Sequence, residues 1–169
     1  TSTPFRQRGE LVPGIELPGH TMTGFRDQLL AKNLSKTGPR VIVLGCEHGI
    51  AEDKLTSESV AVATQPCVAG IPPPFIDYIL SRDLADGVII TGCGEGRCND
   101  RFGVDWMEAR IDGRRDPHLR GRVSRDRLCV VWGSGQDTNK LKRAVSDLEA
   151  WLTAQGSDFG RGRKGRDSA

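Results

Sequence analysis

Four short apolar runs punctuate the chain, and helix-period patterns fall between them. Val41-Ile42-Val43-Leu44 is continuously apolar and ends at Gly45-Cys46. Val60 to Thr64 ends at Gln65-Pro66-Cys67, Val88-Ile89-Ile90-Thr91 ends at Gly92-Cys93, and Leu128 to Trp132 is the fourth run. Runs of this length without polar alternation predict strands buried on both faces, as in a parallel sheet. Pro72 to Leu84 reads as a helix, with prolines tolerated in its first turn and Phe75, Ile76, Ile79 and Leu80 facing the sheet. Arg101 to Ile111 sets Val104, Met107 and Ile111 on one stripe and stops at Gly113. Asp137 or Thr138 caps a last helix, where Leu141, Ala144, Val145, Leu148 and Leu152 recur at helical spacing up to Gly156. The pattern predicts an α/β fold: a small, mostly parallel four-stranded sheet with helices on both faces, Rossmann/flavodoxin-like.

Residues 1–39 read as an N-terminal arm or linker, 40–156 as the α/β domain and 157–169 as a basic Gly/Arg-rich tail. Thr1 to Thr23 carries Pro4, Pro13 and Pro18 without a sustained period. Gly24 to Leu34 predicts a short helix with Phe25, Leu29 and Leu30 on one face, and Lys36-Thr37-Gly38-Pro39 breaks it. A first residue other than Met leads to the expectation of a processed chain or a piece of a longer one.

Composition narrows the function classes. A chain of 169 residues is long enough to bury one real core. A net charge of +2 gives no sign of a nucleic-acid partner. No apolar run approaches a membrane span and no signal-peptide pattern opens the chain, so a cytoplasmic location without direct membrane insertion is expected. Arg110 to Arg127 holds seven arginines against three aspartates. The simplest reading is a solvated face, and the sharper alternative is a docking surface for an acidic redox partner.

The five cysteines carry the candidate chemistry. In a parallel sheet all carboxyl ends share one edge, so Cys46, Cys67 and Cys93 are expected to converge there, with Cys98 following five residues beyond Cys93. Zinc usually takes four cysteines on paired Cys-x2-Cys knuckles, which this chain lacks. Iron–sulfur clusters accept more varied spacing, and amides of a loop such as Gly92 to Gly96 donate to their sulfurs. Iron–sulfur is therefore expected, with zinc as the alternative. Cys129, inside Leu128-Cys129-Val130-Val131, reads as a small core side chain. Glu95 and Asp100 read as solvated acids, and no Ser-His-Asp or Cys-His spacing accompanies them, so no catalytic residue is assigned. The glycines match neither the dinucleotide fingerprint nor the P-loop.

The ordered set Pro66-Cys67, then Ala85-Asp86-Gly87-Val88-Ile89-Ile90-Thr91-Gly92-Cys93, then Gly96-Arg97-Cys98-Asn99 resembles the delta subunit of methyl-viologen-reducing hydrogenase, over roughly Arg40 to Gly156. The resemblance implies a [2Fe–2S] protein without substrate chemistry of its own. It implies a relay between a hydrogenase/formate dehydrogenase-type or ferredoxin module and a flavin-containing, heterodisulfide-reductase-like partner. Related domains fused to ferredoxin-type modules suit the N-terminal arm. Carried over by position, the cluster ligands are Cys46, Cys67, Cys93 and Cys98. The chain departs from the family where Cys-x-x-Cys is usual, because it reads Cys46-Glu47-His48-Gly49. His48 is a candidate substitute ligand, and a backbone-bonded loop histidine is the simpler reading. A zinc-stabilised interaction module and a cluster-less scaffold domain of a redox complex are the rival readings.

Overall fold

The four apolar runs form one sheet. In the computed structural model, which describes residues 19–35, 37–50 and 55–156, the strands are β1 (Val41–Cys46), β2 (Val60–Gln65), β3 (Gly87–Gly92) and β4 (Leu128–Trp132). All are parallel, in the order β2-β1-β3-β4. Val41 is in register with both Val60 and Gly87, and Ile89 pairs with Cys129. Of the expected arm over 1–39, residues 1–18 lie outside the described residues, as does the expected tail over 157–169.

Every residue of β1 and β3 is buried, which explains why these two runs show no polar alternation. The helices are α1 (Met22–Ala31), α2 (Pro73–Ser81), α3 (Gly103–Ile111) and α4 (Thr138–Ala154). Alternate strand residues Ile42, Leu44, Val88 and Ile90 share one core with Phe25 and Leu29 of α1, Ile76 and Ile79 of α2, and Met107 and Ile111 of α3. Val41, Val43, Ile89 and Val131 meet Leu141, Val145, Leu148 and Leu152 of α4 on the other face. Three helices thus cover one face and α4 covers the other. Between β1 and β2 the described residues 47–50 and 55–59 contain no helix. No described helix is long and apolar enough to cross a membrane.

The predicted elements recur with local differences. The Thr21 side chain accepts a hydrogen bond from the Gly24 amide at 3.0 Å, so α1 starts earlier than Gly24. Leu30 does not join Phe25 and Leu29 in the core and is 44% exposed. Asp137 stands at the N-cap of α4, but its carboxylate turns back to accept from the Ser134 amide and hydroxyl at 2.7 and 3.0 Å. It closes the β4–α4 loop instead of capping the helix.

The arginines of the 110–127 segment work largely within the domain. Arg110 donates to the Ala69 carbonyl at 2.6 Å, Arg127 to the Asp86 carbonyl at 2.6 Å, and Arg125 to the Ile111 carbonyl. Arg122 and Arg120 both face the buried carboxylate of Asp77. Arg114 pairs with Asp112, and the Arg115 guanidinium lies 4.4 Å over the Trp106 ring. Each of the seven has a partner in its own chain, and these contacts hold the segment after α3 against the rest of the domain.

Candidate metal centre

The strand order creates the site. Between β1 and β3 the chain reverses its direction of travel across the sheet, and the carboxyl ends there leave a crevice where open α/β sheets bind ligands. Cys46 is the last residue of β1 and Cys93 follows the last residue of β3. Their sulfurs lie 3.7 Å apart, both side chains being buried. Two sulfurs bound to one tetrahedral metal through bonds of about 2.3 Å stand about 3.8 Å apart, so the pair already has the separation of a chelating dithiolate.

The second pair comes from turns. After β2, Cys67 precedes a 3-10 turn at Val68–Gly70 that lies against β1, β3 and α3. Cys98 closes the loop after β3. Both thiols are half-buried, and both flank Gly103, the first residue of α3. A Cβ placed on Gly103 would lie 2.5 Å from Cys67 Sγ and 3.1 Å from Cys98 Sγ. The four cysteines therefore gather at one edge as two pairs, Cys46 with Cys93 and Cys67 with Cys98. Among the described residues no group of three or more His, Cys, Asp or Glu side chains is placed to hold a single metal ion.

Backbone amides point at these sulfurs. Those of His48 and Cys93 favour the ionised form of Cys46, and that of Ala69 favours it at Cys67. Burial nevertheless pushes the Cys46 thiol up to about 11, with the neighbouring Cys93 adding to the rise. Burial pushes Cys67 up to about 12, with the Asp100 carboxylate and Cys98 adding to it. Without a cation the two thiols stay protonated at neutral pH. A bound cation would supply the charge that holds them as thiolates, and the amides already oriented toward sulfur suit that state. Paired thiols, amides aimed at sulfur and a cradle left open at Gly103 make a donor set that fits a metal–thiolate group.

The remaining sequence candidates fall into place around the pairs. The His48 side chain is exposed, while its carbonyl accepts from the Cys93 thiol at 3.5 Å and its amide serves Cys46. Its backbone is what meets the site. Cys129 lies within β4, packed toward α4 on the opposite core and away from the carboxyl edge. Asp100 is exposed as expected of a solvated acid, yet its carboxylate helps to raise the Cys67 thiol, an influence its position in the chain did not signal. The departure at Gly49 also has a physical reason. A Cβ there would lie 3.0 Å from the Gly92 backbone, so glycine lets the loop after β1 close tightly on the end of β3, and any side chain would press the two apart by a few tenths of an ångström. Gly103 was missed in the sequence, where it looks like any glycine at the start of a helix.

No curated protein matches the chain. A sequence model described as methyl-viologen-reducing hydrogenase, delta subunit, matches residues 50–156, which include Cys67, Cys93 and Cys98 but not Cys46. With more than half of its length so matched, including β2 to β4 and α2 to α4, the chain belongs to the family of the delta subunit of methyl-viologen-reducing hydrogenase.

Proposed function

We propose that this chain is the iron–sulfur electron-transfer component of a hydrogenase-associated redox complex. In this reading Cys46, Cys67, Cys93 and Cys98 would hold a [2Fe–2S] cluster, the Cys46–Cys93 pair supplying one half of the thiolates and the Cys67–Cys98 pair the other. The observation that carries the proposal is the two-by-two pairing of the thiols. A dinuclear cluster needs two cysteines on each metal, whereas a structural zinc needs four around one point. Family membership supports the redox setting.

When bound, the cluster would supply a site that gains and loses single electrons. The chain's own residues would hold its thiolates, donate amides from His48, Cys93 and Ala69 to the sulfurs, and keep water from the Cys46–Cys93 side. The half-buried Cys67–Cys98 pair stands nearer the surface, where a redox partner would approach. The partners fitting the family are a hydrogenase/formate dehydrogenase-type or ferredoxin module on one side and a flavin-containing, heterodisulfide-reductase-like protein on the other. Substrate chemistry would belong to them. Anaerobic purification, with iron, sulfide and zinc analysis and a visible spectrum, tests the proposal. Two irons and two sulfides per chain, with colour bleached on reduction, are expected for a [2Fe–2S] centre. Colourless protein with stoichiometric zinc, even after reconstitution with iron and sulfide, would refute it.

A further inference from the structure

Gly103 occupies a place where backbone conformation gives no reason for glycine. It is the first residue of α3 and is not among the glycines with positive φ, in contrast to Gly96 and Gly113. In a helix alanine is preferred to glycine, so local propensity argues against the residue found there. Space supplies the reason. The residue is buried, and a single added carbon would stand 2.5 Å from Cys67 Sγ, 3.1 Å from Cys98 Sγ and 3.8 Å from Ala69 Cβ. A cysteine side chain has one torsion with which to retreat. Cys67 is restrained further, because the 3-10 turn that follows it packs on α3.

We propose that Gly103 is the positioning residue for the Cys67–Cys98 pair. By carrying no side chain at the start of α3, it keeps open the niche in which the two sulfurs face the same point. The inference rests on the cluster reading above for its consequence in metal binding, but the geometry of the thiol pair can be tested without iron. A methyl group at this position drives the sulfurs apart while leaving the helix and both core faces intact.

The test compares wild type, Gly103→Ala and Gly70→Ala, the last as a control because a Cβ on Gly70 meets nothing within 4 Å. Each protein is reconstituted anaerobically with iron and sulfide. Separately, the iron-free proteins are treated with dibromobimane, which bridges neighbouring thiols, and the bridged peptides are mapped. Gly103→Ala is expected to bind iron at least roughly tenfold more weakly, within the range seen when groups that orient metal ligands are changed. It is also expected to lose the Cys67–Cys98 bridge, with its Tm kept or raised, while Gly70→Ala behaves as wild type. Normal iron binding and normal bridging in Gly103→Ala would overturn the inference and leave the cluster reading standing. If wild type takes up no iron, the cluster reading fails, and bridging alone judges Gly103: loss supports its role and retention overturns it. If Gly103→Ala unfolds, the double variant Cys67→Ala/Gly103→Ala removes the closest contact. Recovery of its Tm supports the inference, and no recovery overturns it.

Discussion

The two cysteine pairs are built by different means. Cys46 and Cys93 stand at the ends of the two central strands, fully buried, their spacing set by a sheet whose register leaves little freedom. Cys67 and Cys98 hang from turns, half-buried, and are brought together by the packing of the 68–70 turn on α3 and by the empty position at Gly103. The first pair owes its geometry to backbone hydrogen bonding repeated along two strands. The second owes it to a few side-chain-sized spaces, and such an arrangement is easier to disturb. One pair provides a dry, rigid half of the site and the other provides its face toward solvent.

Ligand replacement should show the contrast most strongly. Cys46→Ser or Cys93→Ser should cost at least roughly tenfold in iron content, because the rigid pair cannot move to accommodate a weaker ligand. Cys98→Ser, in the half-exposed pair, should retain more iron with a shifted visible spectrum. Equal losses at all four positions would erase the distinction between the pairs.

A smaller effect probes how the rigid pair is held. Gly49→Ala would press a methyl group on the Gly92 backbone at 3.0 Å. It should lower stability by about 1–3 kcal/mol, the usual cost of overpacking, and reduce iron loading through the Cys46 side. A denaturant midpoint unchanged from wild type would show that the β1 loop adjusts freely, removing the reason given for glycine there.

Alkaline titration of the iron-free protein reads both pairs at once. The unfolded chain gives up these thiol protons near 9.0, whereas the folded chain holds them to about 11 at Cys46 and about 12 at Cys67. A proton retained by the folded state stabilises it. That contribution is complete below pH 9 and is lost as pH rises through the folded values. Thermal melts at stepped pH should therefore decline across that window, and Cys46→Ser/Cys67→Ser should flatten the decline. A decline of the same steepness in the double variant would assign it to other groups.

The smallest effects are expected away from both pairs. Cys129→Ala should leave iron in place and cost about 1 kcal/mol, because the half-buried side chain belongs to the α4 core. His48→Ala should also leave the spectrum unchanged, since backbone atoms of that residue meet the sulfurs. If either variant loses iron, that residue is a ligand and the assignment of one pair changes.

Some of this was legible from residues alone. Val88-Ile89-Ile90-Thr91 could be read as a buried strand because its period allows little else, and the same holds for the stripe of Leu141, Val145, Leu148 and Leu152. The placing of Cys46 and Cys93 at one edge followed from their positions directly after such strands. Leu30 was misplaced because apolar periodicity alone does not locate the edge of a buried stripe. The arginines between 110 and 127 read as a solvated face, or at most a docking surface, because their partners, Asp77, Ala69 and Asp86, lie far away in the chain.

The order of apolar runs and turn residues by itself determined the four strands, the four helices, the parallel sense of the sheet and the shared edge at which its cysteines emerge. These follow from backbone hydrogen bonding and side-chain period, which act over a few residues. Tertiary structure alone decided that the four thiols divide into two pairs, that the Asp100 carboxylate acts on Cys67, and that Gly49 and Gly103 stand where a side chain would crowd its neighbours. Those outcomes depend on distances between segments tens of residues apart, set by how loops and helix ends pack once the sheet has formed, and no local pattern encodes such distances.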